Sequence, residues 1–248
     1  MKLYRCRGQH ILKNRKIAER MVDYAEVQSS DHVLEVGCGT GILTQFLLEK
    51  AEKVTGVEID ERFVSLLKKK FKSYLSSDKF KLICGDALKV KFPEFDKFVS
   101  NIPYSISSPL TFKVLTYRKK SVIMYQKEFA ERIVATSGRK YGRLSVMVRA
   151  FSTPRIVEFV SKKNFVPEPK VDSAIVLFEP KPEISVKNID ILKKIVTTCF
   201  CARRKKLLKV LRKMNVDESL LKKYGEKRAE EIKPEEYAEI ANSVLHVE

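Results

Sequence analysis

The chain has 248 residues and a formal net charge of +18, from 49 Lys+Arg against 31 Asp+Glu. That length suits one full domain with a smaller companion, and 14 phenylalanines supply a real core. The charge favours a polyanionic partner, nucleic acid before an anionic membrane, and no uncharged run approaches the roughly 18–20 residues of a spanning helix. The five scattered cysteines (Cys6, Cys38, Cys84, Cys199 and Cys201) and three histidines show no metal-ligand spacing. No metal is expected, and free thiols in a reducing cytoplasm are the simple reading. Residues 1–14 are basic but lack the apolar stretch of a signal peptide.

Gly8-Gln9-His10-Ile11-Leu12 precedes a helical pattern carried by Ile17, Met21 and Tyr24. On spacing alone that turn reads as a helix entry. Residues 32–36 form a short apolar strand containing Glu35. Gly37-Cys38-Gly39-Thr40-Gly41 and a helix over 42–50 follow. Strand, glycine loop and helix in that order let backbone approach a ligand, with unpaired N–H groups at the helix start. The next strand, 54–57, ends in Glu58, with Ile59 beside it. An acid about twenty residues past such a loop typically holds ribose hydroxyls; the competing reading is a cap for the helix starting near Asp60. A third strand over 79–84 leads to Gly85-Asp86-Ala87. Asp86 falls where the adenine of a nucleotide-like cofactor lies at the sheet edge, or it is a plain turn aspartate.

Strands alternating with helices, each ending in a polar or acidic residue, predict an α/β doubly wound, mostly parallel sheet. A dehydrogenase fits the first unit equally well. Two features weigh against it. The loop is Gly-x-Gly-x-Gly without the longer Gly-x-x-Gly spacing. The fourth strand, 95–100, runs into Asn101-Ile102-Pro103-Tyr104, which has no role in hydride transfer. Asn101 supplies an amide acceptor, Pro103 removes a donor and holds Ile102 extended, and Tyr104 offers a flat apolar face. A planar amine on a planar base needs such a corner.

A Ser/Pro-rich connection over 105–109 enters a helix, 110–117, then a strand, 121–125, and a helix, 126–135. Residues 136–142 form a basic loop with Arg139 and Lys140, followed by Arg143. A strand candidate at 155–160 precedes the stiff, proline-rich segment 164–171, which leads into the last strand, 173–178. Phe165 in that segment is either ordinary core or a substrate-side ring. After a linker at 180–183 the pattern turns wholly helical, so the expected domains are 1–181 and 182–248. Lys193, Lys194, Arg203, Arg204, Lys205, Lys206, Lys209, Arg212 and Lys213 crowd that region with almost no acids between them. A solvated structural face normally mixes signs, so an RNA-phosphate surface is expected. Pro234-Glu235-Glu236 opens a last helix.

Taken in order, these motifs resemble those of the ribosomal RNA adenine N(6),N(6)-dimethyltransferases, the KsgA family with its archaeal and eukaryotic relatives. The matching stretches are Gly8 to Leu12, Glu35 to Gly41, Val57 to Asp60, Gly85 to Ala87, Asn101 to Pro109, Gln126 to Glu128, Tyr141 to Ser145, Phe165 to Ser173 and Cys199 to Lys205. The resemblance implies a class I methyltransferase (Rossmann-like) fold with a small C-terminal all-helical domain. It implies S-adenosylmethionine as donor and, as substrate, two adjacent adenines in the 3′-terminal hairpin loop of small-subunit rRNA; the expected partner is the immature small subunit, with the chain acting as a monomer and no membrane involved. Asn101, Ile102, Pro103, Tyr104 and Phe165 are the implied catalytic set. Gln9, His10, Leu12, Glu35, Gly37 and Gly39 are the first half of the implied cofactor set. Gly41, Glu58, Ile59, Asp86, Ala87 and Asn101 are the second. Arg139, Lys140, Arg143, Arg203, Arg204, Lys205 and Lys206 are expected on RNA. His10 departs from many bacterial members, which carry Asn there. Rival readings are a ribosome-assembly factor acting by occupancy, a related enzyme of large-subunit rRNA, and a DNA-binding relative.

Overall fold

The structure, a computed structural model, describes residues 10–244. Gly8 and Gln9, the latter expected at the cofactor, lie outside the described residues. In chain order the elements begin with β1 (Ile11–Leu12), α1 (Arg15–Tyr24), β2 (His32–Val36), α2 (Ile42–Lys50), β3 (Lys53–Glu58), α3 (Glu61–Lys70), α4 (Lys72–Ser76), β4 (Phe80–Cys84) and β5 (Lys97–Asn101). They continue with α5 (Ser107–Leu115), β6 (Lys120–Gln126), α6 (Lys127–Val134), α7 (Arg143–Arg149), β7 (Thr153–Val160), β8 (Phe165–Val166) and β9 (Ser173–Glu179). After these come α8 (Ile189–Cys201), α9 (Leu208–Leu211), α10 (Glu218–Tyr224) and α11 (Pro234–Asn242).

Seven strands form one sheet in the order β4-β3-β2-β5-β6-β9-β7. The first five are mutually parallel, and β9 runs antiparallel to β6, from Ser121↔Phe178 to Gln126↔Ser173. Parallel neighbours need crossovers, which α2, α3 and α5 supply. Strands covered on both faces read as continuous apolar runs rather than alternating ones. Ala174, Ile175, Val176, Leu177 and Phe178 of β9 are all buried, as are Val122, Ile123, Met124 and Tyr125 of β6. Buried Ser121 and Ser173 at the ends of the β6–β9 pair mark where the run stops.

The first helix, α1, packs against α2 and β6. Asn14 caps it by accepting from the Lys16 N–H at 3.1 Å, and Ile17, Ala18, Met21 and Val22 form its buried stripe. Where α2 begins, Gly41 has φ +74°, and a Cβ there would stand 2.6 Å from the Phe71 ring and 2.8 Å from Leu67. Gly41 therefore lets α2 seat against α3 and the turn after it.

The two-residue strands β1 and β8 pair antiparallel, Leu12 opposite Phe165 and Ile11 opposite Val166. Phe165 is 2% exposed and packs in the same core as Leu12, Met21 and Leu177. This corrects the expectation of a substrate-side ring. The proline-rich segment reads as loop, but its first residues pair with a distant strand, and burying such a ring stabilises by about 1.5–3 kcal/mol.

The chain divides into two compact units, residues 10–130 with Arg155–Pro180, and Glu131–Pro154 with residues 181–244. Residues 131–154 thus pack with the helical unit rather than in a continuous 1–181 domain. The cause lies in α7, which lies against α8 and α11. Its Arg149 is buried, paired with Glu183 at 2.6 Å and donating to the Ser145, Ile133 and Val134 carbonyls at 2.8–3.1 Å. Tyr141 donates to the Ile232 carbonyl at 2.8 Å, and its ring meets Phe200, which also faces Tyr237. No helix among the described residues is long and apolar enough to cross a membrane.

Candidate active site

The strand order reverses between β2 and β5, which are adjacent although β3 and β4 lie between them in sequence. Ligands of such sheets sit beyond the carboxyl ends of the strands at this reversal. Val36, Glu58, Cys84 and Asn101 end the four strands around it. The loops that follow enclose a cavity of about 510 Å³.

Residues after β2 turn sharply. Gly37 and Gly39 have φ of +76° and +53°, a region side chains disfavour. The Gly37 N–H donates to the Val57 carbonyl at 2.8 Å, and Gly41 N–H to the Cys38 carbonyl at 2.9 Å. The Glu58 carboxylate holds the loop from the side. One oxygen accepts from Gly39 N–H and the other from Asp60 N–H, each at 2.9 Å. Each oxygen keeps further lone-pair capacity toward the cavity it lines. Burial pushes the Glu58 pKa up, against the pull of those backbone donors. Glu35 lies deeper, 1% exposed, accepting from the Thr44 hydroxyl at 2.6 Å. Burial pushes it up to about 7, and the Cys38 thiol beside it is also raised by burial.

After β4, the Asp86 carboxylate accepts from Leu88 N–H at 2.9 Å, forming a tight turn. Lys113 of α5 fastens this turn from outside. Its ammonium donates to the carbonyls of Ala87 at 2.8 Å, Leu88 at 3.3 Å and Val90 at 2.5 Å, and lies 4.2 Å from the Phe92 ring centroid. Desolvation lowers the Lys113 pKa.

At the end of β5, Asn101 turns into the cavity, and no described residue hydrogen-bonds its carboxamide. Pro103 packs against Gly37, so the corner and the glycine loop share one wall. The Tyr104 hydroxyl is 2.6 Å from Ser173 Oγ at the start of β9. Its ring stacks on His10, with centroids 5.9 Å apart and planes at 29°. His10 is itself held, its Nδ1 2.8 Å from the Pro167 carbonyl.

Of the residues singled out for the cofactor, His10, Leu12, Glu35, Gly37 and Gly39 line this cavity, as do Glu58, Ile59, Asp86, Ala87 and Asn101. Ile102, Pro103 and Tyr104 join them. Gly41 does not; it serves the seat of α2. Thr40 of the glycine loop also lines the cavity, and so do Ile42, Leu43, Phe63 and Leu88, which the sequence motifs do not include. Ile42 and Leu88 directly adjoin motifs and Leu43 is one residue further on, a local signal; Phe63, from α3, carries none. The site is therefore a glycine-walled cavity with one acid ending β3, another in the turn after β4, and an amide–proline–aromatic corner.

The basic residues singled out for RNA all fall in the helical unit. Lys140 pairs with Glu131, Arg203 with Glu230 and Lys206 with Glu226. Arg203 also reaches the Gly138 carbonyl at 3.4 Å. Arg139, Arg143, Arg204 and Lys205 have no acidic partner among the described residues.

Sheet order, reversal point and pocket define a class I, Rossmann-like methyltransferase. The chain matches the family described as ribosomal RNA adenine dimethylase over residues 2–246. It is 42% identical over 248 residues to a probable ribosomal RNA small subunit methyltransferase A of Thermococcus gammatolerans, covering 95% of this chain and 87% of that one. A protein of the same description from Methanosarcina mazei is 40% identical over 262 residues, covering 99% and 96%. Among solved structures, a dimethyladenosine transferase from Plasmodium falciparum superposes with a TM-score of 0.82 at 36% identity, covering 92% of this chain and 94% of that one. The 23S rRNA methyltransferase ErmE superposes with a TM-score of 0.75 at 27% identity, covering 94% and 99%. The chain belongs to the ribosomal RNA adenine dimethylase family.

Proposed function

We propose that this chain transfers methyl groups from S-adenosylmethionine to the exocyclic amines of two adjacent adenines in the 3′-terminal hairpin loop of small-subunit rRNA, during maturation of the subunit. The observation that carries this reading is the Asn101 carboxamide, partnerless among the described residues, at the same cavity edge as the glycine loop. The cavity residues fit the donor. The wall where Gly37 meets Pro103 leaves little room for a side chain, Glu58 stands at a strand end for ribose hydroxyls, and Asp86 lies where a nucleobase edge would be read. When bound, S-adenosylmethionine supplies an electrophilic methyl on a sulfonium and leaves as the neutral thioether.

The protein's share is positioning and electrostatics. An adenine amine is a poor nucleophile because its lone pair is spread into the ring. Its two N–H groups donate to the Asn101 side-chain oxygen and the Ile102 carbonyl, which favours a pyramidal nitrogen with its lone pair free to attack. Pro103 holds that carbonyl in place. Tyr104, tethered through its hydroxyl to Ser173, stacks on the base. The nitrogen becomes more acidic as it is alkylated, so no strong base is needed. A loop adenine leaves its stack at low cost.

The test is to incubate the protein with labelled S-adenosylmethionine and unmethylated small subunits, then map the modified bases. Label on two adjacent adenines of the terminal hairpin is expected. Asn101→Ala should slow methylation by roughly 10²- to 10³-fold and leave RNA binding within about twofold. Label on large-subunit rRNA instead would move the protein to the other branch. Binding without label would leave an assembly role by occupancy.

A further inference from the structure

Beneath the amide–proline–aromatic corner lies a chain of buried hydroxyls. Tyr125 of β6 follows Met124, which pairs with Asn101 of β5. Its phenol oxygen is 2.7 Å from Thr111 Oγ1 on α5. Thr111 donates its only hydroxyl proton to the Ser107 carbonyl at 2.6 Å, so Tyr125 is the donor to Thr111. Burial pushes the Tyr125 phenol pKa up, which keeps it protonated for that bond. Ser107, the first residue of α5, donates from Oγ to the Tyr104 carbonyl at 3.0 Å, and its N–H donates to the same oxygen. Tyr125 and Thr111 are 0% exposed and Ser107 is 5% exposed.

Packing alone does not call for these oxygens. Phenylalanine would fill the place of Tyr125 beside Phe129 and Phe178, and valine would fill that of Thr111. A buried, bonded hydroxyl contributes little net stability. What a fully satisfied buried network does supply is a single arrangement. This one pins the first turn of α5 to the strand beside Asn101 and, through Ser107, holds the backbone of Tyr104. The Tyr104 side chain is tethered separately, at Ser173. The ring is thus fixed from both ends.

We propose that Tyr125, Thr111 and Ser107 are positioning residues for the second methyl transfer, setting how completely a monomethylated adenine goes on to the dimethylated product. The proposal rests on the reading of the corner as the seat of the target adenine. In the first transfer two N–H groups aim the amine, one at Asn101 and one at Ile102. The amine lone pair forms the new N–C bond as the S–C bond of the sulfonium breaks. The sulfur keeps that electron pair as a neutral thioether, and one N–H proton passes to solvent. The monomethylated amine has a single N–H left. It undergoes the same exchange with a second donor molecule and gives its last proton to solvent, but with one hydrogen bond fewer to aim it. The stack on Tyr104 then carries more of the positioning. A loosened Tyr104 therefore costs the second transfer more than the first.

The experiment incubates unmethylated small subunits with labelled S-adenosylmethionine, digests the rRNA and separates monomethyladenosine from dimethyladenosine over time. Tyr125→Phe and Thr111→Val should each slow the second transfer about fivefold relative to the first, the effect of one lost hydrogen bond, so that monomethyladenosine accumulates. The double variant should be no worse than either single one. Thr111→Ser keeps the hydroxyl and should restore the ratio. The KM for S-adenosylmethionine and the affinity for RNA should hold within about twofold. In the protein alone, without donor or RNA, amide hydrogen exchange over residues 104–111 should quicken in Tyr125→Phe. The control is Tyr237→Phe, which deletes another buried phenol, one that donates to the Ala229 carbonyl at 2.8 Å in the helical unit. It should leave the ratio unchanged. An unaltered ratio or unaltered exchange in Tyr125→Phe, or an equal fall of the ratio in Tyr237→Phe, overturns the proposal while the methylated adenines still stand. If the unaltered protein labels no adenine of small-subunit rRNA, the reading beneath it fails too.

Discussion

Gly37 and Pro103 touch where a side chain would begin: a Cβ on Gly37 would lie 3.1 Å from Pro103 Cδ and 3.6 Å from Cγ. The glycine loop and the corner after β5 are therefore one wall, and a change in either is felt by both. Gly37→Ala would crowd Pro103, which must give by a few tenths of an ångström, and would also have to hold a φ of +76°, which costs an L-residue roughly 1–2 kcal/mol. We expect a stability loss of about 1–3 kcal/mol in urea titration and a rise of more than tenfold in the KM for S-adenosylmethionine. A variant with both values unchanged would show that the wall tolerates bulk.

The tether between Tyr104 and Ser173, 2.6 Å long, should act as a unit. Ser173→Ala leaves the phenol without its partner, and Tyr104→Phe removes the phenol itself. Each should cut kcat about fivefold, the equivalent of ~1 kcal/mol, and the double variant should be no worse than either single one. Multiplied losses in the double would mean that the two groups act separately.

Lys113 binds three carbonyls of the turn that carries Asp86. Lys113→Met keeps the stem and deletes the donors, so the turn should loosen. The KM for S-adenosylmethionine is expected to rise about tenfold, corresponding to ~1.4 kcal/mol, while RNA affinity holds. Lys113→Arg should recover part of it. Loss of RNA affinity alone would place the effect elsewhere.

Glu35 gives a pH signature. Burial raises its folded pKa to about 7 from an ordinary 4.5. The folded state then binds the proton more tightly than the unfolded one, so its stabilising contribution is complete below pH 4.5 and is lost as pH rises through 7. Between pH 5 and 8 the ligand-free protein should lose on the order of 2–3 kcal/mol from this group. Urea midpoints of Glu35→Gln should be flatter over that range. A variant that keeps the full slope would assign it to another acid, Glu58 being the next with a raised pKa.

Much of this site was legible because its signals are local. Gly37, Gly39, Glu58, Asp86 and Asn101 each sit at the end of a strand whose apolar run is plain in the sequence, and the sheet brings those ends together. What was not legible depends on distant pairings. Phe165 looks like a loop residue until Leu12 pairs with it. Helix α7 shows no amphipathic stripe because Leu144 through Val148 are all buried, so periodicity had nothing to mark. Arg203 and Lys206 read as free charges until Glu230 and Glu226, more than a dozen residues further on, come back to them. Gly41 shares a motif with Gly37, yet it accommodates Phe71 and Leu67 instead of a ligand.

The reversed strand β9 has a consequence for how such an enzyme can diversify. Parallel strands offer their final residues to the pocket rim, whereas β9 offers its first, Ser173, opposite Gln126 at the end of β6. The stretch between β7 and β9 therefore arrives at the rim from outside the wound helices. Phe165, seated opposite Leu12, and Pro167, whose carbonyl holds His10, anchor that stretch to the pocket; the residues after them can change without re-threading any crossover, so the outer lip can be rebuilt for a differently shaped RNA.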